Sequence, residues 1–163
     1  MSQPIQLPTV DDTRAFGARL ADVLRAGDLV VLAGPLGAGK TALVQGLADG
    51  LGVVGAITSP TFVIARVHRP DPERGRVALV HADAYRLGAT ADPRAEIDDL
   101  DLDASMDDSV TVVEWGEGMV EQLGDAHLVV RIDRRADDTR TVTLEPVGGD
   151  WARRLERLEW PST

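Results

Sequence analysis

The chain has 163 residues, with 27 acidic and 17 basic side chains and a formal net charge of −10. Negative charge of this size argues against a surface that binds nucleic acid through its phosphate backbone. The absence of cysteine excludes disulfides, thiolate metal sites and cysteine nucleophiles.

Length and hydrophobic content together indicate how the chain is organised. With 44% hydrophobic residues and the length of one average domain, residues 1–163 are expected to form a single domain. The first residues lack the pattern of a signal peptide, and no stretch approaches the roughly 20 apolar residues of a membrane span. We therefore expect a cytoplasmic protein that makes no contact with a membrane.

The first half of the chain predicts a helix, a strand and a second helix. Apolar residues at helical spacing predict a helix over residues 13–26, which ends at Gly27. The apolar run at residues 28–33 is typical of a parallel strand that is covered on both faces. A second helical pattern covers residues 40–52. A glycine-rich loop therefore connects this strand to the second helix.

The second half of the chain predicts mainly strands. Residues 62–68 and 76–83 are predicted to form an antiparallel hairpin around a turn at residues 69–75. The acidic segment at residues 92–108 is expected to be a solvated helix and loop. The remaining predictions are a buried strand at 110–115, a hairpin of 128–132 with 141–145, and a short helix at 151–158.

The glycine-rich loop carries the clearest chemical signal. It reads Gly34-Pro35-Leu36-Gly37-Ala38-Gly39-Lys40-Thr41 and matches G-x-x-x-x-G-K-[ST], the phosphate-binding loop of nucleoside triphosphatases. Backbone N–H groups and the positive end of the following helix surround the phosphates in such a loop. Lys40, the only lysine of the chain, would reach the β- and γ-phosphates, and Thr41 would bind Mg²⁺. The predicted fold is a three-layer α/β P-loop NTPase domain with a mixed, mainly parallel central sheet.

A magnesium site needs a second anchor, usually a carboxylate at the end of a neighbouring strand. Glu114 and Asp83 each follow an apolar run that is predicted to be a strand. Open α/β sheets bind ligands at the carboxyl ends of their strands, so we expect at least one of the two near the metal. The sequence leaves open which one. His68 and His81 are expected to lie on strands without a catalytic role.

Four motifs in the same order and spacing extend the argument beyond the loop. They are Gly37-Ala38-Gly39-Lys40-Thr41, Ser59-Pro60-Thr61-Phe62, His81-Ala82-Asp83-Ala84-Tyr85-Arg86-Leu87 and Val113-Glu114-Trp115. Together they closely resemble the TsaE (also called YjeE) ATPases, which take part in making the threonylcarbamoyladenosine modification of tRNA in bacteria. The resemblance covers nearly the whole chain. It implies a Mg²⁺-dependent ATPase, slow on its own, that works with the TsaD and TsaB transferase subunits and reaches tRNA only indirectly.

The resemblance also assigns roles to individual residues. It implies that Thr41 and Glu114 hold Mg²⁺, that Asp83 positions the attacking water, and that Thr61 belongs to a nucleotide-sensing loop. Lys40 completes the catalytic set. The expected ATP contacts are Thr13, Leu36, Gly37, Ala38, Gly39, Lys40, Thr41, Ala42 and Trp115.

Two other functional classes stay open. A small-molecule kinase has the same loop at a similar size, and the arginines around the 69–75 turn would then form a lid over the donor phosphates. We favour surface positions on a hairpin for these arginines. A nucleotide-gated binding module would need ATP occupancy without hydrolysis.

Overall fold

The computed structural model describes residues 4–35, 39–53, 65–73, 75–83, 108–114, 126–158 and 160. Within these ranges the chain forms one seven-stranded sheet and three helices. The strands are β1 (Ile5–Leu7), β2 (Leu29–Ala33), β3 (Ala65–His68), β4 (Ala78–Asp83), β5 (Ser109–Glu114), β6 (His127–Arg134) and β7 (Arg140–Val147). The helices are α1 (Val10–Ala21), α2 (Lys40–Leu51) and α3 (Trp151–Leu155).

The sheet has β2 at its centre. The strand order is β1-β7-β6-β2-β5-β4-β3. β2 is parallel to both β5 and β6, and β5 is parallel to β4, whereas β3, β7 and β1 are antiparallel to their neighbours. Every residue of β2 and β5 is buried, which explains the continuous apolar run of β2 and the valines of β5. The predicted α/β fold with a mixed, mainly parallel sheet is confirmed.

The first helix begins and ends earlier than predicted. It covers Val10–Ala21 rather than residues 13–26, because Thr9 and Asp12 form a capping box that fixes its start. The Asp12 N–H donates to the Thr9 hydroxyl at 3.1 Å, and the Thr9 N–H donates to the Asp12 carboxylate at 3.0 Å. Beyond the helix, Arg76 donates to the carbonyls of Ala21 and Leu24, at 3.1 and 2.7 Å. These two hydrogen bonds, from a residue more distant along the chain, fix the backbone at the end of α1.

The other predicted elements are present where the structure describes them. Both predicted hairpins are confirmed as the antiparallel pairs β3 with β4 and β6 with β7, and α3 is shorter than its prediction. β1 was not predicted, because its three residues are too few to show a strand periodicity. The acidic segment lies outside the described residues apart from Asp108. None of the described helices is long and apolar enough to cross a bilayer.

A buried ion pair attaches α3 to the start of β2. Arg154, which is only 6% exposed, donates from Nη1 to Oδ1 of Asp28 at 2.9 Å and from Nη2 to the other carboxylate oxygen. Its guanidinium also lies over the Trp151 ring, 4.2 Å from the ring centroid. Arg25 and Asp150 extend the pair to the surface with hydrogen bonds of 2.9 and 3.0 Å. These four residues fix the end of the sheet opposite to the glycine-rich loop.

Candidate functional site

Three neighbouring parallel strands end together at one edge of the sheet. Leu32 of β2 is the Cα partner of Glu114, and Glu114 is the Cα partner of Asp83 at the end of β4. The chain leaves β2 at Ala33 and enters α2 at Lys40, so the glycine-rich loop lies at this same edge. The register therefore brings together the backbone positions that the sequence singled out on three separate segments.

The described ends of the loop need glycine for different reasons. A Cβ on Gly34 would lie 2.3 Å from the carbonyl oxygen of Ile132 in β6, so no side chain fits between the loop and that strand. Gly39 has a φ of +107°, in the left-handed region that favours glycine, and it is the residue before α2. Leu36, Gly37 and Ala38 lie outside the described residues, and their contacts with ATP stay predictions.

Lys40 is the first residue of α2, and its side chain is 7% exposed. Its Nζ donates a hydrogen bond of 2.9 Å to the carbonyl oxygen of Gly34, across the mouth of the loop. The Lys40 side chain therefore extends back to the end of β2, the strand that precedes the loop. Its positive charge and the N-terminal end of α2 lie on the same side, which is the arrangement that favours a bound anion.

Thr41 and Glu114 supply oxygen atoms to this edge. Thr41 follows Lys40 in α2 and is half-buried, and Glu114 is buried at the end of β5. A hydroxyl and a carboxylate are hard oxygen ligands that suit Mg²⁺. No group of three or more His, Asp or Glu side chains within the described ranges could hold a metal on its own. In proteins, Mg²⁺ takes one or two carboxylates and completes its coordination with substrate phosphates and water.

Glu114 has a buried histidine beside it. His81 of β4 is 0% exposed, and its Nε2 lies 3.5 Å from Oε2 of Glu114. His81 was expected to lie on a strand without a catalytic role, because its contact with Glu114 depends on the pairing of β4 with β5, which no local pattern reveals. The Glu114 carboxylate thus has His81 as a polar neighbour within the sheet, and it lies at the edge where the glycine-rich loop begins.

The family model for threonylcarbamoyl adenosine biosynthesis protein TsaE matches residues 7–142. The chain belongs to the TsaE family. The tRNA threonylcarbamoyladenosine biosynthesis protein TsaE of Streptomyces coelicolor is 58% identical over 144 residues, with 85% of this chain and 93% of that protein covered. The TsaE protein of Bacillus subtilis is 35% identical over 149 residues, with 91% and 88% covered. The crystal structure of Bacillus subtilis YdiB superposes with a TM-score of 0.75 at 30% identity and covers 96% of this chain and 93% of that one.

Membership of the TsaE family confirms the resemblance from which the roles of several site residues were inferred. It does not test the role of each residue. Thr13 is buried on α1, and its hydroxyl donates at 3.4 Å to the carbonyl of Thr9, the residue before the helix. Ala42 is half-buried in the first turn of α2. The backbone of Asp83 ends β4, but its side chain is not described. Thr61 and Trp115 lie outside the described residues, so their roles stay predictions.

Sequence reasoning also missed Arg140 at this edge of the TsaE fold. Arg140 begins β7, and a Cβ placed on Gly39 would lie 3.4 Å from its Nε. Its Nη1 donates to the Asp138 carbonyl at 2.6 Å, within the hairpin turn. Arg140 is one of many arginines in the chain, and only the position of β7 in the sheet distinguishes it from the others. It adds a second cation beside the loop.

The turn between β3 and β4 lies at the other edge of the sheet. β4 runs from Ala78 toward Asp83, so the turn before it is at the edge opposite to Glu114. Arg76, in this turn, is hydrogen-bonded to carbonyls at the end of α1. These contacts place Arg76 away from the glycine-rich loop. They argue against the hypothesis that this arginine belongs to the lid of a small-molecule kinase.

Proposed function

We propose that this protein binds and hydrolyses ATP with Mg²⁺, and that it serves the threonylcarbamoyladenosine modification of tRNA together with the TsaB and TsaD subunits. The observation that carries the proposal is the placement of Lys40. Its ammonium is buried at the start of α2 and donates to the Gly34 carbonyl, beside the end of β2. The match to the TsaE family over residues 7–142 supplies the biological process.

Phosphate binding follows from the geometry of the loop. The Lys40 ammonium lies at the loop, where it donates to the Gly34 carbonyl, and bound β- and γ-phosphates would accept hydrogen bonds from the same ammonium. Gly39 is in the left-handed region and directly precedes α2, whose N-terminal backbone N–H groups would also contribute to an anion site.

The carboxylate edge provides the catalytic half of the site. Thr41 and Glu114 would hold Mg²⁺, which on binding would neutralise charge on the β- and γ-phosphate oxygens. Asp83, the Cα partner of Glu114, would accept a hydrogen bond from the attacking water and align it with the γ-phosphorus. The water then displaces ADP in line, and the products are ADP and inorganic phosphate.

The charge of the protein supports an indirect relation to tRNA. A net charge of −10 opposes binding to the tRNA backbone, so a protein partner must connect ATP turnover to the modified nucleotide. The TsaB and TsaD subunits are the proposed partners. We expect slow hydrolysis by the isolated protein, because Arg140 is attached to its own hairpin turn and an additional group is needed over the γ-phosphate.

The test measures ATP hydrolysis by the purified protein with Mg²⁺, alone and with TsaB and TsaD. Lys40→Ala serves as the blank. We expect slow turnover that the partners stimulate, and no stimulated turnover in the Lys40 variant. Absence of binding to the partners, together with turnover that they do not change, would refute the proposed pathway.

A further inference from the structure

His81 is an unusual residue for its position in the sheet. It lies inside β4 between apolar neighbours, with Val80 before it and Ala82 after it, and its side chain is 0% exposed. Its Cα partner in β5 is Val112, two residues before Glu114, so His81 and Glu114 are diagonal neighbours on the same face of the sheet. The side chains meet with Nε2 of His81 3.5 Å from Oε2 of Glu114.

The imidazole has unused hydrogen-bonding capacity. Within the described part of the chain, neither Nδ1 nor Nε2 of His81 has a hydrogen-bond partner. Leaving a buried N–H unpaired is costly, and an apolar side chain would fill the same space without that cost. The nearby polar group in the described structure is the Glu114 carboxylate, which is buried as well. A shortening of about 0.5 Å would convert their contact into an ordinary hydrogen bond.

We propose that His81 is a positioning residue for Glu114: its Nε2–H donates to Oε2 and thereby directs the other carboxylate oxygen toward Mg²⁺. This inference rests on the proposed function. Carboxylates that bind metal ions are themselves hydrogen-bonded, and the partner fixes the orientation of the ligand. In this role the proton that His81 donates is on Nε2. Its burial keeps it from the nucleotide and from the attacking water, so it acts only through Glu114.

Three variants separate a positioning role from a structural one. His81→Leu removes the donor, whereas His81→Gln retains an N–H near the place of Nε2. The matched control is His127→Leu, since His127 is also buried with an unpartnered Nδ1 in the described structure. It begins β6, at the edge of the sheet opposite to Glu114, so its loss leaves the site intact.

The first measurement is the affinity for Mg²⁺ in the presence of a non-hydrolysable ATP analogue, alongside the affinity for the analogue without metal. For His81→Leu we expect Mg²⁺ affinity to fall at least 10-fold, as is typical for loss of such a partner. Metal-free analogue binding should stay unchanged. His81→Gln should regain much of the loss, and His127→Leu should match the wild type.

Two outcomes overturn the inference in distinguishable ways. If His81→Leu keeps wild-type Mg²⁺ affinity while Glu114→Gln loses it, His81 has no positioning role and the proposed function stands. If Glu114→Gln also keeps wild-type affinity, the magnesium part of the proposed function is wrong, and the role of His81 is refuted with it.

A second measurement does not depend on the folding of any variant. The chain has three histidines, so ¹⁵N-histidine labelling of the wild-type protein gives few signals, and through-bond NMR assignment of the same protein identifies the one from residue 81. We expect the Nε2–H tautomer at His81 and a change in its Nε2 signal when Mg²⁺ joins the bound analogue. An Nδ1–H tautomer would direct a lone pair at Glu114 and refute the proposal.

Discussion

Gly46 of α2 lies directly against the backbone of Arg14 in α1. A Cβ at position 46 would come within 2.0 Å of the Arg14 carbonyl oxygen, a distance that no pair of nonbonded atoms tolerates. A hydrogen bond of 3.1 Å from Nε of Arg14 to Oε1 of Gln45 holds the helices together beside this contact. α2 begins directly after the glycine-rich loop, so this close packing also fixes the helix that carries Lys40 and Thr41.

Gly46→Ala should therefore destabilise the fold, although alanine is the better helix former. The two helices must separate to admit the methyl group, and overpacking of this kind costs about 1–3 kcal/mol of unfolding free energy. Urea denaturation measures the effect. Asp49→Ala, at an exposed position of the same helix, is the control and should leave stability unchanged or raise it slightly. A Gly46 variant as stable as the wild type would contradict the packing described for α1 and α2.

Lys40→Ala and Glu114→Gln should impair different parts of nucleotide binding. Loss of the Lys40 ammonium removes a charge-assisted contact to phosphate, so affinity for ATP without metal should fall about 10- to 100-fold. Glu114→Gln should leave metal-free affinity nearly unchanged and abolish its increase by Mg²⁺. Calorimetric titration with and without Mg²⁺ distinguishes the two. If both variants lost the same ATP affinity with and without Mg²⁺, the assignment of phosphate binding to Lys40 and of Mg²⁺ binding to Glu114 would be contradicted.

The Arg154–Asp28 pair should be sensitive to removal of one partner. Arg154→Met leaves the buried Asp28 carboxylate without its cation and should cost about 3–5 kcal/mol of unfolding free energy. The double variant Arg154→Met with Asp28→Asn should recover part of this loss. Arg25→Met removes the exposed bridge to Asp150 and should cost less than about 1 kcal/mol. Denaturant curves for the wild type and these three variants measure the unfolding free energies. Equal losses in Arg25→Met and Arg154→Met would contradict the prediction.

Stability at acid pH should depend on Asp150. Desolvation acts to raise the pKa of Asp150, but the charge of Arg25 and its hydrogen bonds outweigh it, so this pKa lies below its ordinary value of 3.8. A carboxyl whose pKa is lower in the folded state stabilises the fold above its unfolded pKa, and that stability is lost as pH falls. Asp150→Asn should therefore flatten the decline in stability below about pH 4. Denaturation followed from pH 6 to about pH 3 tests this, and parallel curves for variant and wild type would contradict it.

The sequence predicts well what depends on neighbouring residues. β2, the loop and α2 were located because an apolar run, a glycine-rich motif and a helical pattern are all contiguous, and Glu114 was selected because it ends its strand. The start of α1 was missed because its cap lies before the apolar pattern. The contact of His81 with Glu114 and the approach of Arg140 to Gly39 were beyond prediction, because each depends on which strands are neighbours in the sheet. That order is set by packing between distant segments.

The pairing of β2 has a consequence for how the protein is made. Its two neighbours, β5 and β6, follow about 80 and 100 residues later in the chain, so these contacts are slow to form. While a ribosome is still synthesising the second half, Leu29–Ala33 has no strand beside it and exposes an apolar segment that is prone to aggregation. The glycine-rich loop follows this strand directly. The proposed nucleotide site should therefore be complete only after translation has passed β6, and until then the exposed strand is a segment of the kind that chaperones bind.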